Sequence, residues 1–97
     1  MQLQTQTRPK LLSVLVMADR IDAASALLFK EQMRDLTQKA EGRIVLDLAR
    51  VKFLDSSGLG AIVAVKKLLA PERMLELSGL TQTAEKVLRL KLVDDSF

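Results

Sequence analysis

Residues 43–69, RIVLDLARVKFLDSSGLGAIVAVKKLL, carry a short aliphatic run through a polar junction into an apolar helix pattern. Ile44 to Leu48 is a nearly continuous aliphatic stretch and reads as a strand deep in a sheet, with cover on both faces. Beyond Ala49 to Asp55, Leu59, Ile62, Val63 and Leu69 mark one face of a helix. Lys66 and Lys67 fall toward solvent, and Pro71 closes the unit. The helix opens on Asp55-Ser56-Ser57-Gly58-Leu59-Gly60. At a helix N-terminus the backbone N–H groups are unpaired and the field favours negative charge, so a phosphate on a hydroxyl there is electrostatically acceptable.

Upstream, Leu3 to Gln6 alternates weakly, Thr7 to Lys10 contains Pro9, and Leu11 to Met17 is aliphatic-rich, which together read as an N-terminal hairpin. From Ala23 to Ala40, the residues Ala26, Phe29, Met33, Leu36 and Ala40 recur at steps of three and four and predict a helix with Phe29 and Met33 in the core. Asp22 is placed to cap it, and Glu41-Gly42 end it. Downstream, Met74 to Leu77 is a further strand, Ser78-Gly79 a turn, and Thr81 to Leu90 a helix carried by Ala84, Val87 and Leu88. This order predicts an α/β fold: a mixed central β-sheet of about four strands packed with about three to four helices, in one compact domain over residues 1–97.

Composition narrows the function. A 97-residue domain has little room for an enclosed substrate cavity, which favours a recognition surface. Fifteen basic and twelve acidic residues give a net charge of +3 without a basic block, and only Phe29, Phe53 and Phe97 are aromatic, so direct nucleic-acid binding is not expected. The chain contains neither cysteine nor histidine, which removes disulfides, zinc sites and the usual triad base. The longest apolar runs, near Leu11 to Ala18 and Leu59 to Val65, are far shorter than a membrane span, and no secretion signal opens the sequence. The expectation is a cytoplasmic protein without membrane insertion.

The junction itself is not a nucleotide site. It lacks the G-x-x-x-x-G-K-[ST] phosphate loop, and Gly58-x-Gly60 does not complete G-x-G-x-x-G. Asp55 or Ser56 before a helix is an ordinary cap, and Gly58 and Gly60 permit tight turning and packing. As a nucleophile, Ser56 would need a lysine or carboxylate base, and a hydrolase built on Asp47 or Asp55 lacks both a base and a cavity. The chain is therefore not expected to be an enzyme. What remains open at this junction is a serine that another protein could modify.

The hairpin leading into Asp19-Arg20-Ile21-Asp22, the first helix, Ile44-Val45-Leu46-Asp47-Leu48, Phe53-Leu54-Asp55-Ser56-Ser57-Gly58-Leu59-Gly60 and Leu75-Glu76-Leu77-Ser78-Gly79-Leu80 span nearly the whole chain. In these segments the sequence resembles the anti-sigma factor antagonists of the STAS-domain family. It departs from the family pattern at Ala18 and at Ala70-Pro71-Glu72-Arg73, where the family often has glycine and Gly-Gly. The resemblance implies that Ser56 is the phosphoacceptor, with Ser57 at a position often held by Ser or Thr. It also implies a partner, an anti-sigma factor that is a serine kinase of the GHKL type, and a PP2C-like phosphatase that reverses the modification. Asp22, Asp55, Ser57, Gly58 and Leu59 would border the partner surface, and the chain would hold no ATP or other cofactor itself. The alternative within the family is a docking subunit of a membrane transporter's ATPase, with no serine cycle. The intact Asp55-Ser56-Ser57 segment favours the phosphorylated role.

Overall fold

The chain begins as a hairpin because Pro9 fixes its own backbone angle at the turn and Lys10 takes the left-handed conformation, with φ of 62°. The computed structural model describes residues 1–69, 73 and 75–79. In chain order these form strands β1 (Leu3–Arg8), β2 (Leu11–Val16) and β3 (Arg20–Ile21), helix α1 (Ala26–Lys39), strands β4 (Arg43–Asp47) and β5 (Phe53–Leu54), helix α2 (Ser56–Leu69) and strand β6 (Leu75–Ser78). Four strands make one mixed sheet in the order β1-β2-β4-β6. β1 runs antiparallel to β2, whereas β4 lies parallel to both β2 and β6. The expected mixed sheet of four strands packed with helices is therefore present. The helix expected over Thr81 to Leu90 and the stop at Pro71 lie outside the described residues.

Strand alternation decides which face is covered. Leu12, Val14 and Val16 of β2 and Ile44 and Leu46 of β4 point to one side, where they are buried with Phe29 and Met33 of α1 and Ile62, Val65 and Leu69 of α2. Ser13, Leu15, Val45 and Asp47 point to the other side and are only half-buried. The expectation that Ile44 to Leu48 has cover on both faces is met in full on the helix side and only by half on the other. Both described helices pack on one face, and Asp47 on the opposite face uses its Oδ1 to accept the Ala49 N–H at 2.9 Å as the chain leaves the strand.

Two boundaries differ from the sequence pattern for local reasons. α1 starts at Ala26 rather than Ala23, and its N-cap residue is Ser25 rather than Asp22. Asp22 instead organises a turn ahead of the helix: its carbonyl accepts the Ser25 and Ala26 N–H groups, and its Oδ1 accepts the Ala24 N–H at 3.1 Å. The helix ends at Lys39, and Gly42 then adopts φ of 80° where a side chain would collide with the Lys10 backbone. The close approach is fixed by the Arg43 N–H donating to the Lys10 carbonyl at 3.0 Å, which registers the hairpin against β4.

Candidate functional site

β3 and β5 pair in parallel as a second, two-stranded sheet, with Arg20 opposite Phe53 and Ile21 opposite Leu54. Two residues are too few for a visible period, so neither strand is legible in the sequence. Ile21 and Leu54 point inward and are buried, leaving Arg20 and Phe53 outward. The Lys52 and Phe53 N–H groups donate to the Asp19 carbonyl at 2.7 and 3.1 Å, and the Asp55 N–H reaches the Ile21 carbonyl at 3.4 Å. This ribbon brings the Asp19-Arg20-Ile21-Asp22 segment against Phe53-Leu54-Asp55-Ser56, although more than thirty residues separate them in the chain.

Asp55 is the hinge of the arrangement. Its Oδ1 accepts the Gly58 N–H at 2.8 Å and its carbonyl accepts the Leu59 N–H at 2.9 Å, which caps α2. Its Oδ2 accepts the Ala23 N–H at 3.1 Å, tying the start of α2 to the turn that leads into α1. With both oxygens engaged and one bonded to a backbone group far away in sequence, the carboxylate positions the loop and is not poised to take the Ser56 proton. Replacing Asp55 with alanine removes the cap and the tie together, and a loss of about 1–2 kcal/mol is expected from the cap alone. Asp55→Asn keeps an acceptor for the cap and should lose less; urea melts of the two variants measure the difference.

Ser56 and Ser57 follow at the first two positions of α2, and both are exposed. Gly58 and Leu59 have their N–H groups bonded to Asp55, whereas the N–H groups of Ser56 and Ser57 have no partner among the described residues. An oxyanion on Ser56 would therefore sit at the open, positive end of α2. The neighbouring Arg20 guanidinium lies 5.5 Å from the Phe53 ring centroid and 3.7 Å from Asp22 Oδ2. With the Arg20 side chain 62% exposed, that ion pair contributes little to stability.

The structure brings Asp22, Asp55, Ser56 and Ser57 to one surface but separates the two apolar and glycine positions from it. Gly58 is buried against β3, where a β-carbon would meet the Ile21 carbonyl and the Leu54 side chain. Leu59, expected at the partner surface, is 9% exposed and belongs to the core, because the helical turn that shows Ser56 and Ser57 to solvent points Leu59 inward. The outward apolar groups are others: Phe53 is exposed on β5, and Leu27 and Leu28 are exposed on the first turn of α1, just after the Ala23 tie. Leu27 and Leu28 fall outside the helical period that marks the core face of α1, and Arg20 lies in a two-residue strand, so no periodic signal pointed to any of the three. Two open grooves lie elsewhere, one of about 390 Å³ on the sheet face lined by Gln4, Gln6, Ser13 and Asp47, and one of about 220 Å³ between α1 and α2 lined by Lys30, Arg34, Ala64 and Leu68. Neither includes Ser56.

Comparison with known proteins places this geometry. Residues 5–95 match the family model described as Mlab, STAS domain. A Thermotoga maritima protein assigned as an anti-sigma factor antagonist superposes with a TM-score of 0.76 at 26% identity, covering 95% of this chain and 80% of that one. The anti-sigma factor antagonist SpoIIAA, in its unphosphorylated form, gives a TM-score of 0.67 at 19% identity, over 93% of this chain and 80% of that one. A segment of the murine anion transporter Solute Carrier 26 family member A9 gives a TM-score of 0.76 at 15% identity, covering 94% of this chain but 15% of the transporter. The last two likenesses concern the fold alone.

Proposed function

The chain belongs to the STAS-domain family, and on that premise we propose that it is an anti-sigma factor antagonist working by partner switching. In its unmodified form it binds an anti-sigma factor that is a GHKL-type serine kinase, and sigma is released. Transfer of a phosphoryl group to Ser56 dismisses the kinase, and a PP2C-like phosphatase resets the cycle. The chain supplies the acceptor hydroxyl and the docking surface, while ATP and the catalytic groups belong to the partner. Such partners place it in the cytoplasm, and no helix among the described residues is long and apolar enough to cross a membrane.

The observation that carries this reading is the exposed position of Ser56 at the start of α2, held in place by the Asp55 cap and its bridge to Ala23. A hydroxyl buried under the chain's own atoms would be closed to an incoming kinase. The likeness to the Thermotoga anti-sigma factor antagonist supports an anti-sigma factor as the class of partner. Arg20, Phe53, Leu27 and Leu28 offer the mix of one cation and exposed apolar area that a docking surface requires, in place of the buried Leu59. The test is incubation with the serine-kinase anti-sigma factor and ATP, followed by mapping of the modified residue. One phosphate on Ser56, lost in Ser56→Ala and retained in Ser57→Ala, is the expected result; label that persists in Ser56→Ala rejects the assignment.

A second reading is the alternative within the family, a docking subunit of a membrane transporter's ATPase without a serine cycle; the same fold also occurs as a segment of an anion transporter. Copurification with such an ATPase, together with an unmodified Ser56 in cells, would favour it.

A further inference from the structure

We propose that this chain forms a homodimer through the outer edge of β1, which has no neighbouring strand among the described residues, joining two four-stranded sheets into one continuous sheet. β1 ends the strand order, and every residue from Gln4 to Arg8 is exposed. The pairing pattern shows which backbone groups of β1 face away from β2. The Met17 N–H donates to the Gln2 carbonyl at 2.9 Å, so Gln2 and Met17 form a hydrogen-bonded pair. Hydrogen-bonded and non-hydrogen-bonded pairs alternate along an antiparallel ladder. With Leu3 opposite Val16 and Arg8 opposite Leu11, the N–H and C=O groups of Gln4, Gln6 and Arg8 point to β2, while those of Leu3, Thr5 and Thr7 point away from the sheet.

These outward groups fit a second copy of themselves. An antiparallel pairing centred on Thr5 sets Thr5 against the second copy's Thr5 and Leu3 against its Thr7, each pair exchanging both N–H···O bonds. Gln4 then faces Gln6 of the other copy on the open side of the sheet, where the two amides can bond to each other. The side chains agree with this register. Leu3 to Thr7 is LQTQT, free of charge, so nothing at the centre repels its own image. The usual guards of an edge strand, an inward lysine, a proline or a bulge, are missing from it. Arg8 falls beyond the paired core, opposite Gln2 of the other copy.

This inference is independent of Ser56, which lies on a different part of the fold. It is tested by measuring mass in solution over a concentration series, where wild type should move from 10.8 kDa toward about twice that value. Thr5→Lys, which places two ammonium groups face to face on an exposed position, should remain monomeric at every concentration with an unchanged circular dichroism spectrum. Because the chain has no cysteine, Thr5→Cys should form a disulfide-linked dimer under mild oxidation, while Arg8→Cys, whose image is distant in this register, should not. A wild-type chain that stays monomeric, a dimer indifferent to Thr5→Lys, or equal crosslinking of the two cysteine variants overturns the proposal.

Discussion

Phosphorylated at Ser56, the chain is expected to bind the proposed kinase partner several hundredfold more weakly than the unmodified form, and Ser56→Asp should move affinity in the same direction by a smaller factor. Ser56→Ala should bind as wild type. A phosphoserine brings about 1.5 to 2 negative charges at neutral pH, where the whole chain carries a net charge of +3. Within the isolated domain this charge meets the N–H groups of Ser56 and Ser57, which have no partner among the described residues, so the fold should hold. The consequence falls on the complex. A surface that closes over Ser56 can pair a neutral hydroxyl with one or two hydrogen bonds, but a dianion must lose its water beside the fixed carboxylate of Asp55, which the Gly58 and Ala23 N–H groups keep in place. A penalty of about 3–4 kcal/mol corresponds to the stated loss, at a factor of ten for each 1.4 kcal/mol. Titration calorimetry of the four forms, with thermal melts to show that each is folded, measures it. Equal affinities would sink the switch, and a melting loss in the phosphorylated form would move the effect from the interface into the fold.

The pattern of the chain displayed the large elements and hid the small ones that assemble the site. α2 is legible because Leu59, Ile62 and Leu69 keep a helical period over fourteen residues, and the hairpin because Pro9 interrupts two strand-like runs. By contrast, the ribbon that carries Asp22 to Asp55 consists of two-residue strands, and its pairing depends on the Asp19 and Ile21 carbonyls rather than on any side-chain pattern. The junction sequence alone reads as an ordinary cap and does not separate Ser56 from Ser57; the resemblance to the STAS-domain family is what singles out Ser56. Leu59 could not be assigned to surface or core in the same way. One residue of rotation decides between those fates, and the cap geometry that sets the rotation is created by the carboxylate of Asp55 acting on Gly58. Asp22 shows the same limit: it has the right chemistry for a cap, yet a three-residue turn intervenes and passes that position to Ser25.

Gly58 and Gly60 stand two residues apart in one helix, and alanine at the two positions should act with opposite signs. Helix propensity favours alanine over glycine by about 0.8–1.0 kcal/mol at an interior site, so propensity alone predicts stabilisation at both. At Gly60 nothing lies within 4 Å of an added β-carbon, and the position is exposed, so Gly60→Ala should realise most of that gain. At Gly58 the added carbon is driven into the carbonyl oxygen of Ile21, with the Ile21 carbonyl carbon and Leu54 Cδ1 both at 2.8 Å. The obstacle is backbone, and Ile21 is fully buried, so the clash cannot be relieved by turning a side chain. Either α2 withdraws from β3 or β3 moves, and both strain the 3.4 Å bond from the Asp55 N–H to the Ile21 carbonyl. Overpacking of this kind typically costs about 1–3 kcal/mol, enough to reverse the propensity gain and lower the melting temperature by roughly 4–8 °C for each net kcal/mol in a domain of this size. Because the same contact aims Ser56 outward, Gly58→Ala should also slow phosphorylation under conditions where the variant is still folded, whereas Gly60→Ala should leave the stability of the loop intact. Thermal melts of the two single variants decide the matter: a Gly58→Ala chain as stable as Gly60→Ala would mean that α2 does not pack against Ile21 as described, and the placement of Ser56 would fail with it.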